Sequence, residues 1–173
     1  MIEEIKYYAG IGSRETPPGV EPMIEEVGRI LSERNFVLRS GGAPGADSMF
    51  EKYHTGEKEI YLPWKNFNNN GSDYYLDVFI DRIIEKSMKI AKEHHPRWNQ
   101  LSDAAKKLMC RNTFQVLGFD LETPVSFIVC WTKSGKIEGG TGQAMRIAKG
   151  LDIPIFNLYH RDCLHKIKLH LSK

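Results

Sequence analysis

Leu38-Arg39-Ser40-Gly41-Gly42-Ala43-Pro44-Gly45-Ala46-Asp47 is the stretch whose reading decides the fold. Its front closes a β-like run, Phe36-Val37-Leu38; its middle is a glycine-bearing turn; its back opens a helix reading from Ala46 to His54. Strand, tight turn and helix in that order form the unit of a parallel sheet, because parallel neighbours need a crossover, usually a helix. The same unit recurs on both sides. Tyr7 to Ile11 is a short β-like run that ends in Gly12-Ser13-Arg14, and Thr16-Pro17-Pro18 leads into a helix over 18–34. Proline fits a first helical turn, and Val20, Met23, Ile24, Val27, Ile30 and Leu31 fall at helical spacing. Val125 to Trp131 is a near-continuous apolar run, as expected of a strand buried on both faces. Lys133-Ser134-Gly135 and Gly139-Gly140-Thr141-Gly142 follow it, ahead of a helix at about 142–150.

The remaining segments complete the alternation. Glu59 to Leu62 reads as a third strand and Pro63 to Tyr75 as a loop rich in Asn, Gly and aromatics. Leu76, Phe79, Ile80, Ile83, Ile84 and Met88 mark a long helix that Pro96 interrupts, and a second helix carries Leu101, Ala104, Ala105, Leu108 and Val116. Ile153 to Leu158 is a last strand, and Leu164, Ile167 and Leu171 predict a helical tail. The expectation is an α/β fold over 1–173 as a single domain. An open parallel sheet is flanked by helices, with a helical pair at 76–117 inserted before the fourth core strand.

Composition sets outer bounds. The chain has 173 residues, 41% of them hydrophobic and 27% charged, which is the balance of a soluble globule. A formal charge of +2 is too small to argue for nucleic acid by itself. No apolar run approaches the ~18–20 residues of a membrane helix, and Met1-Ile2-Glu3-Glu4-Ile5-Lys6 has no basic lead into an apolar stretch. Cys110, Cys130 and Cys163 are odd in number and widely spaced, which fits reduced thiols in a cytoplasmic setting. Adjacent His94-His95, and His160, His165 and His170 in the tail, lack the spacing of a metal site. No metal is expected.

The chemistry is expected at the three glycine turns. Ligands of open α/β sheets sit beyond the carboxyl ends of the strands, where glycine lets the backbone come close and the next helix offers unpaired N–H groups. A phosphate is the natural occupant. The turns match neither common phosphate motif: Glu15 stands where a dinucleotide fingerprint has its third glycine, and no G-x-x-x-x-G-K-[ST] occurs. Arg14 could clamp a phosphate, or be a solvated arginine. Asp47 could accept a ribose hydroxyl, or stabilise the start of its helix. Asn112 lies four residues beyond Leu108 on the buried stripe, beside Arg111, so its amide needs a partner, either a ligand or a neighbouring loop. The loop supplies Tyr61, Trp64, Phe67, Tyr74 and Tyr75, which could stack on a base or simply pack beneath the loop; Trp64 is the first choice for stacking.

These motifs together resemble the DprA/Smf branch of the SLOG superfamily, a Rossmann-like group, over nearly the whole chain. Gly12-Ser13-Arg14 resembles its first-strand signature, and Ser40-Gly41-Gly42-Ala43-Pro44-Gly45-Ala46-Asp47 its S-G-G-A-x-G-x-D motif. Arg111-Asn112 resembles its R-N pair, and Ser134-Gly135 with Gly139 to Gly142 its final glycine turn. Tyr8 to Pro17 and Gly140-Thr141-Gly142-Gln143-Ala144 are similar to small stand-alone proteins encoded by bacteriophages. The DprA resemblance implies single-stranded DNA binding and recombinase loading. The LOG phosphoribohydrolase branch, which uses P-G-G-x-G-T-x-x-E, implies hydrolysis of a nucleotide. Here Gln143 and Arg146 fall on that motif's threonine and glutamate. A third branch senses signals derived from NAD or ADP-ribose.

The leading expectation is a cytoplasmic homo-oligomer that binds a phosphate-bearing, nucleotide-derived ligand without turnover. The ligand would be of the NAD/ADP-ribose type or a cyclic nucleotide signal, sequestered from host defence if the chain is phage-encoded. Backbone groups at Gly12, Ser13, Gly41, Gly42, Gly140, Thr141 and Gly142 would hold phosphates, with Ser40, Gly45, Lys133, Ser134 and Gly139 around them. Arg14 would add charge, Asp47 and Asn112 would address ribose or base, Arg111 would join Asn112 in the ligand-binding set, and Trp64 would stack. No catalytic residue and no required cofactor are expected, although the ligand could co-purify. The alternatives are DprA-like binding of single-stranded DNA and LOG-like hydrolysis.

Overall fold

The computed structural model describes residues 4–173. Five strands, β1 (Lys6–Gly12), β2 (Phe36–Ser40), β3 (Lys58–Ile60), β4 (Phe127–Trp131) and β5 (Ile155–Asn157), form one parallel sheet in the order β3-β2-β1-β4-β5. Six α-helices accompany them: α1 (Glu21–Glu33), α2 (Ala46–Tyr53), α3 (Asp81–His94), α4 (Asp103–Leu117), α5 (Gly139–Gly150) and α6 (Cys163–Leu171). The expected open parallel sheet is present, with the α3–α4 pair inserted before β4.

The period-two geometry of strands explains the layering. Tyr8, Leu38, Phe127 and Val129 point to one face, where they meet Ile24, Val27 and Leu31 of α1, Phe50 of α2 and Ile167 of α6. Ala9, Ile11, Ile128 and Cys130 point to the other, against Cys110 and Phe114 of α4 and Ala144, Met145 and Ile147 of α5. All five residues of β4 are buried, which is why its sequence reads as an unbroken apolar run rather than an alternation. The three cysteines are buried thiols, and burial pushes Cys110 up to about 11 and Cys163 up to about 12.

Arg39 is the largest of the fully buried side chains. It is 2% exposed, and its guanidinium donates to Glu59 at 2.8 Å and to the Thr123 carbonyl at 2.5 Å. It also lies 3.8 Å from the Tyr7 ring centroid. Gly118 ends α4 beside it with φ +80, and a Cβ there would come within 2.6 Å of the Arg39 Nη2. Glycine is therefore required twice over at that position, by backbone and by space.

Four boundaries differ from the sequence reading. Helix α5 starts at Gly139, so Gly139, Gly140 and Thr141 are its first turn rather than a loop ahead of it. Helix α3 starts only at Asp81, because Ile80 is extended (φ −66, ψ 148); Leu76–Val78 is a separate 3-10 turn. Strand β3 stops at Ile60, and Leu62 instead forms an isolated bridge with Tyr75. Strand β5 is confined to Ile155–Asn157. Among the described residues, no helix is long and apolar enough to cross a membrane, and no cluster of His, Cys, Asp and Glu could hold a metal.

Candidate functional site

The strand order reverses at β1: the chain runs outward through β2 and β3 on one side and returns through β4 on the other. At such a switch point the loops leaving neighbouring strands diverge and open a crevice. Here it is a half-open cavity of about 470 Å³. That volume lies within the usual range for small-molecule sites. Ile11 to Glu15 at the end of β1 and just past it, Thr132 and Lys133 after β4, and Glu138 to Thr141 at the start of α5 form its walls. Ala43 and Asp47 come from the second glycine turn, and Leu108, Met109, Arg111, Asn112 and Gln115 from α4.

The first loop is fixed by its own polar atoms. Ser13 N–H donates to the Trp131 carbonyl at 3.0 Å, and the Ser13 carbonyl accepts from Thr16 Oγ1 at 2.6 Å. Gly12 N–H donates to Asp47 Oδ1 at 3.2 Å, and Ala43 N–H donates to Asp47 Oδ2 at 3.3 Å. The expected assignment of these groups changes accordingly. The N–H groups of Gly12 and Ser13 are spent inside the protein. Asp47 is 3% exposed and ties the first two glycine turns together rather than offering a free carboxylate. Burial raises its carboxyl to about 6, against the opposing effects of the Arg111 charge and the backbone donors.

The second turn is tightly packed against protein. A Cβ on Gly41 would meet the side chains of Gln115 and Arg111, and Asp47 Oδ2 at 2.7 Å. One on Gly42 (φ +67) would meet Leu62 at 2.6 Å, and Gly45 (φ +82) sits against the Ser13 and Arg14 carbonyls. Ser40 is fully buried and donates to the Gly10 carbonyl at 2.6 Å. Ser40, Gly41, Gly42 and Gly45 therefore lie behind the cavity wall, and their residue types answer to internal contacts.

Arg111 and Asn112 project from α4 into this core of polar groups. Arg111 is 5% exposed; its Nη1 donates to the carbonyls of Gly41 and Tyr61, and its Nε to Asn112 Oδ1 at 2.9 Å. Its Nη2 has no acceptor among the described residues. Asn112 Nδ2 donates to the Gly140 carbonyl at 2.9 Å, so the buried amide finds a loop partner. Burial lowers Arg111 to about 10; Asp47 opposes that shift and Arg14 adds to it.

Trp64 does not line the cavity. Its ring packs edge-on to Phe67, with centroids 5.3 Å apart. Phe67 in turn lies under two guanidinium groups, Arg14 at 5.8 Å and Arg111 at 5.6 Å. Phe67 thus holds the two arginines and Trp64 packs on Phe67, because the hydrophobic cluster beneath the loop takes in both rings. Ser134 and Gly142 also lie outside the lining. Ser134 donates from N and Oγ to Glu138 Oε1 at 2.7 and 2.8 Å, and Gly142 N–H donates to the Glu138 carbonyl. Lys133 is exposed at the rim, 3.8 Å from the Glu15 carboxylate. Gln143 and Arg146 are used structurally: Gln143 donates to the Ala91 carbonyl at 2.8 Å and Arg146 to the His94 carbonyl at 2.7 Å, which latches α5 to α3.

Sequence reasoning missed Gln115. It is 2% exposed, lines the cavity, and its amide makes no hydrogen bond to any described residue. The signal was available: residue 115 lies four positions after Arg111 and three after Asn112, on the same helical face.

No family model matches the chain, and no curated protein matches it. Solved structures do. DNA processing protein A from Helicobacter pylori, described for its single-stranded DNA binding mode, is 14% identical with a TM-score of 0.50; the match covers 88% of this chain and 64% of that one. DNA processing protein A (DprA) from Streptococcus pneumoniae is 16% identical with a TM-score of 0.49, covering 88% of this chain and 50% of that one. The chain thus spans about 64% of the length of the Helicobacter protein. Its five-stranded parallel sheet, ordered about a switch point that carries the cavity, has the DprA-like, Rossmann-like fold.

Proposed function

We propose that the switch-point cavity binds a nucleotide, and that this nucleotide is a unit of single-stranded DNA. The observation that carries the proposal is the pair Arg14 and Arg111, which both line the cavity and both lie over the ring of Phe67. Two guanidinium groups beside one ring repel each other, and the charge of Arg14 contributes to the lowered proton affinity of Arg111. A phosphate between them would relieve that repulsion through charge-assisted hydrogen bonds. The first-turn N–H groups of α5, at Gly139, Gly140 and Thr141, have no preceding helical acceptor and would add three donors. A half-open cavity of this volume accommodates one nucleotide and leaves its flanking chain free to continue. The single-stranded DNA binding of the similarly folded Helicobacter protein supports the polymer as the source.

One observation favours a second reading, a free nucleotide-derived ligand held without turnover. The rim cations Arg14 and Lys133 are offset by Glu15 and Glu138, and no aromatic side chain lines the cavity. A polymer site ordinarily combines net positive charge with stacking platforms.

Fluorescence anisotropy of a labelled oligo-dT across a salt series separates the readings, together with mass spectrometry of the supernatant from denatured protein. The polymer reading expects binding that weakens steeply with salt and an empty supernatant. A stoichiometric nucleotide in the supernatant with no oligonucleotide binding would transfer the site to the second reading. Absence of both, with no binding of added nucleotides, would overturn the nucleotide site itself.

A further inference from the structure

Gln115 is buried as a residue, but its amide opens on the cavity. A primary amide carries two donor hydrogens and an acceptor oxygen, and buried amides ordinarily satisfy them. Gln115 is 2% exposed and has no hydrogen-bond partner among the described residues, yet it stands on the cavity wall. Neighbouring polar groups do not take it up. Arg111 is committed through Nη1 and Nε, Asn112 through both ends of its amide, and Asp47 to backbone N–H groups. Among the buried polar side chains at the cavity, Gln115 alone keeps a donor and an acceptor side by side.

We infer that Gln115 is the specificity-determining residue of this site and that it selects adenine. The inference rests on the nucleotide reading above. A glutamine amide matches adenine bidentately, accepting from the N6 amino group and donating to N7. Guanine is best matched by a bidentate arginine, and Arg111 has only Nη2 left to give. Leu108, Met109 and Ile11 give the cavity an apolar part of its lining, which suits the face of a flat base. Arg14 and Gln115 both line the cavity, and Arg111 stands one helical turn before Gln115 on α4.

The test compares an oligo-dT carrying one central adenine with plain oligo-dT, and adenosine 5′-monophosphate with its analogues lacking the 6-amino group or carrying carbon in place of N7. The expected result is a preference of about tenfold or more for adenine that either analogue loses. Gln115→Met, similar in volume and apolar, is expected to erase the preference, so that the ratio of the affinities for adenine-containing and plain oligo-dT falls to about one. A structural role for the amide would lower both affinities together. An adenine preference that survives in Gln115→Met, or equal binding of all bases by the wild type, overturns the inference. No binding of any oligonucleotide or nucleotide overturns the nucleotide reading beneath it. Should Gln115→Met fail to fold, the two analogues on wild-type protein decide the matter.

Discussion

Asn112 Nδ2 donates to the Gly140 carbonyl at 2.9 Å, which fastens the middle of α4 to the first turn of α5. The bond closes the cavity between two elements 28 positions apart in the chain. It also presents Asn112 Oδ1 to the Nε of Arg111, so one amide orients both the helix that would face a phosphate and the guanidinium that would grip it.

Replacing Asn112 by alanine should therefore act on stability and site together. It leaves the buried Arg111 Nε without its acceptor, at a cost of about 1–3 kcal/mol, and removes the tie to the Gly140 carbonyl. Urea denaturation at neutral pH measures this. A cost near zero would show that the two elements are held by their apolar contacts alone.

Gly140→Ala should separate stability from binding. A Cβ at this position meets only Met109 Cε, at 3.8 Å, and alanine is a better helix residue than glycine by roughly 0.5–1 kcal/mol. The variant should melt at the same temperature or higher. Its nucleotide affinity should fall, because the added methyl group stands on the cavity wall beside the N–H groups of the first turn. Unchanged affinity would remove α5 from the binding surface.

Arg14 and Lys133 make a prediction about salt. Each phosphate neutralised on a single strand contributes about −0.7 to the slope of log K against log salt. The double variant Arg14→Ala, Lys133→Ala should reduce the slope measured with oligo-dT by roughly 1.4, with little change in stability. Both residues are exposed, and the Lys133–Glu15 pair at 3.8 Å spans two exposed side chains. An unaltered slope would place the strand elsewhere on the surface.

His54 predicts a pH dependence of stability. Its ring is fully buried; Nδ1 meets Tyr8 Oη and Ser32 Oγ, each at 3.1 Å, and Nε2 has no partner among the described residues. Burial, aided by the charge of Lys58, pushes its pKa down to about 4. The unfolded chain takes up that proton near 6.5 and the native chain not until about 4, so the unfolded state binds more protons between those values. Stability then falls as the pH drops from 6.5 towards 4. Asp47 works the opposite way, since its raised carboxyl is protonated first in the native state. The difference between wild type and His54→Gln cancels that contribution and should change by about 3 kcal/mol across the window. A difference that stays constant with pH would mean that the native ring titrates normally.

The fold was legible because its signals are local. The apolar run from Val125 to Trp131 announces a strand covered on both sides, and the spacing of Val20, Ile24, Val27 and Leu31 announces a helix with one buried face. Boundaries were less legible where a single backbone angle decides them. Ile80 has the composition of a helical residue, yet it is extended, and α3 begins one residue later. The meeting of the turns at one sheet edge was legible, and the internal partners of their polar atoms were not. The glycine turns do converge at the switch point, but Gly41 and Gly42 are small because Gln115, Arg111, Asp47 and Leu62 crowd them.

By itself, the sequence determined an alternating α/β chain with three glycine turns, an arginine after the first and a buried polar face on the helix that carries Arg111. These follow from periodicity and turn chemistry, which act over a few residues. Only the tertiary structure decided which polar atoms are spent on one another and which are left over. Asp47 is consumed by Gly12 and Ala43, Asn112 by Gly140 and Arg111, and Trp64 by Phe67, whereas the Gln115 amide at the cavity has no partner among the described residues. Hydrogen-bond satisfaction is a property of neighbours in space, and these neighbours meet only once the helices are packed on the sheet.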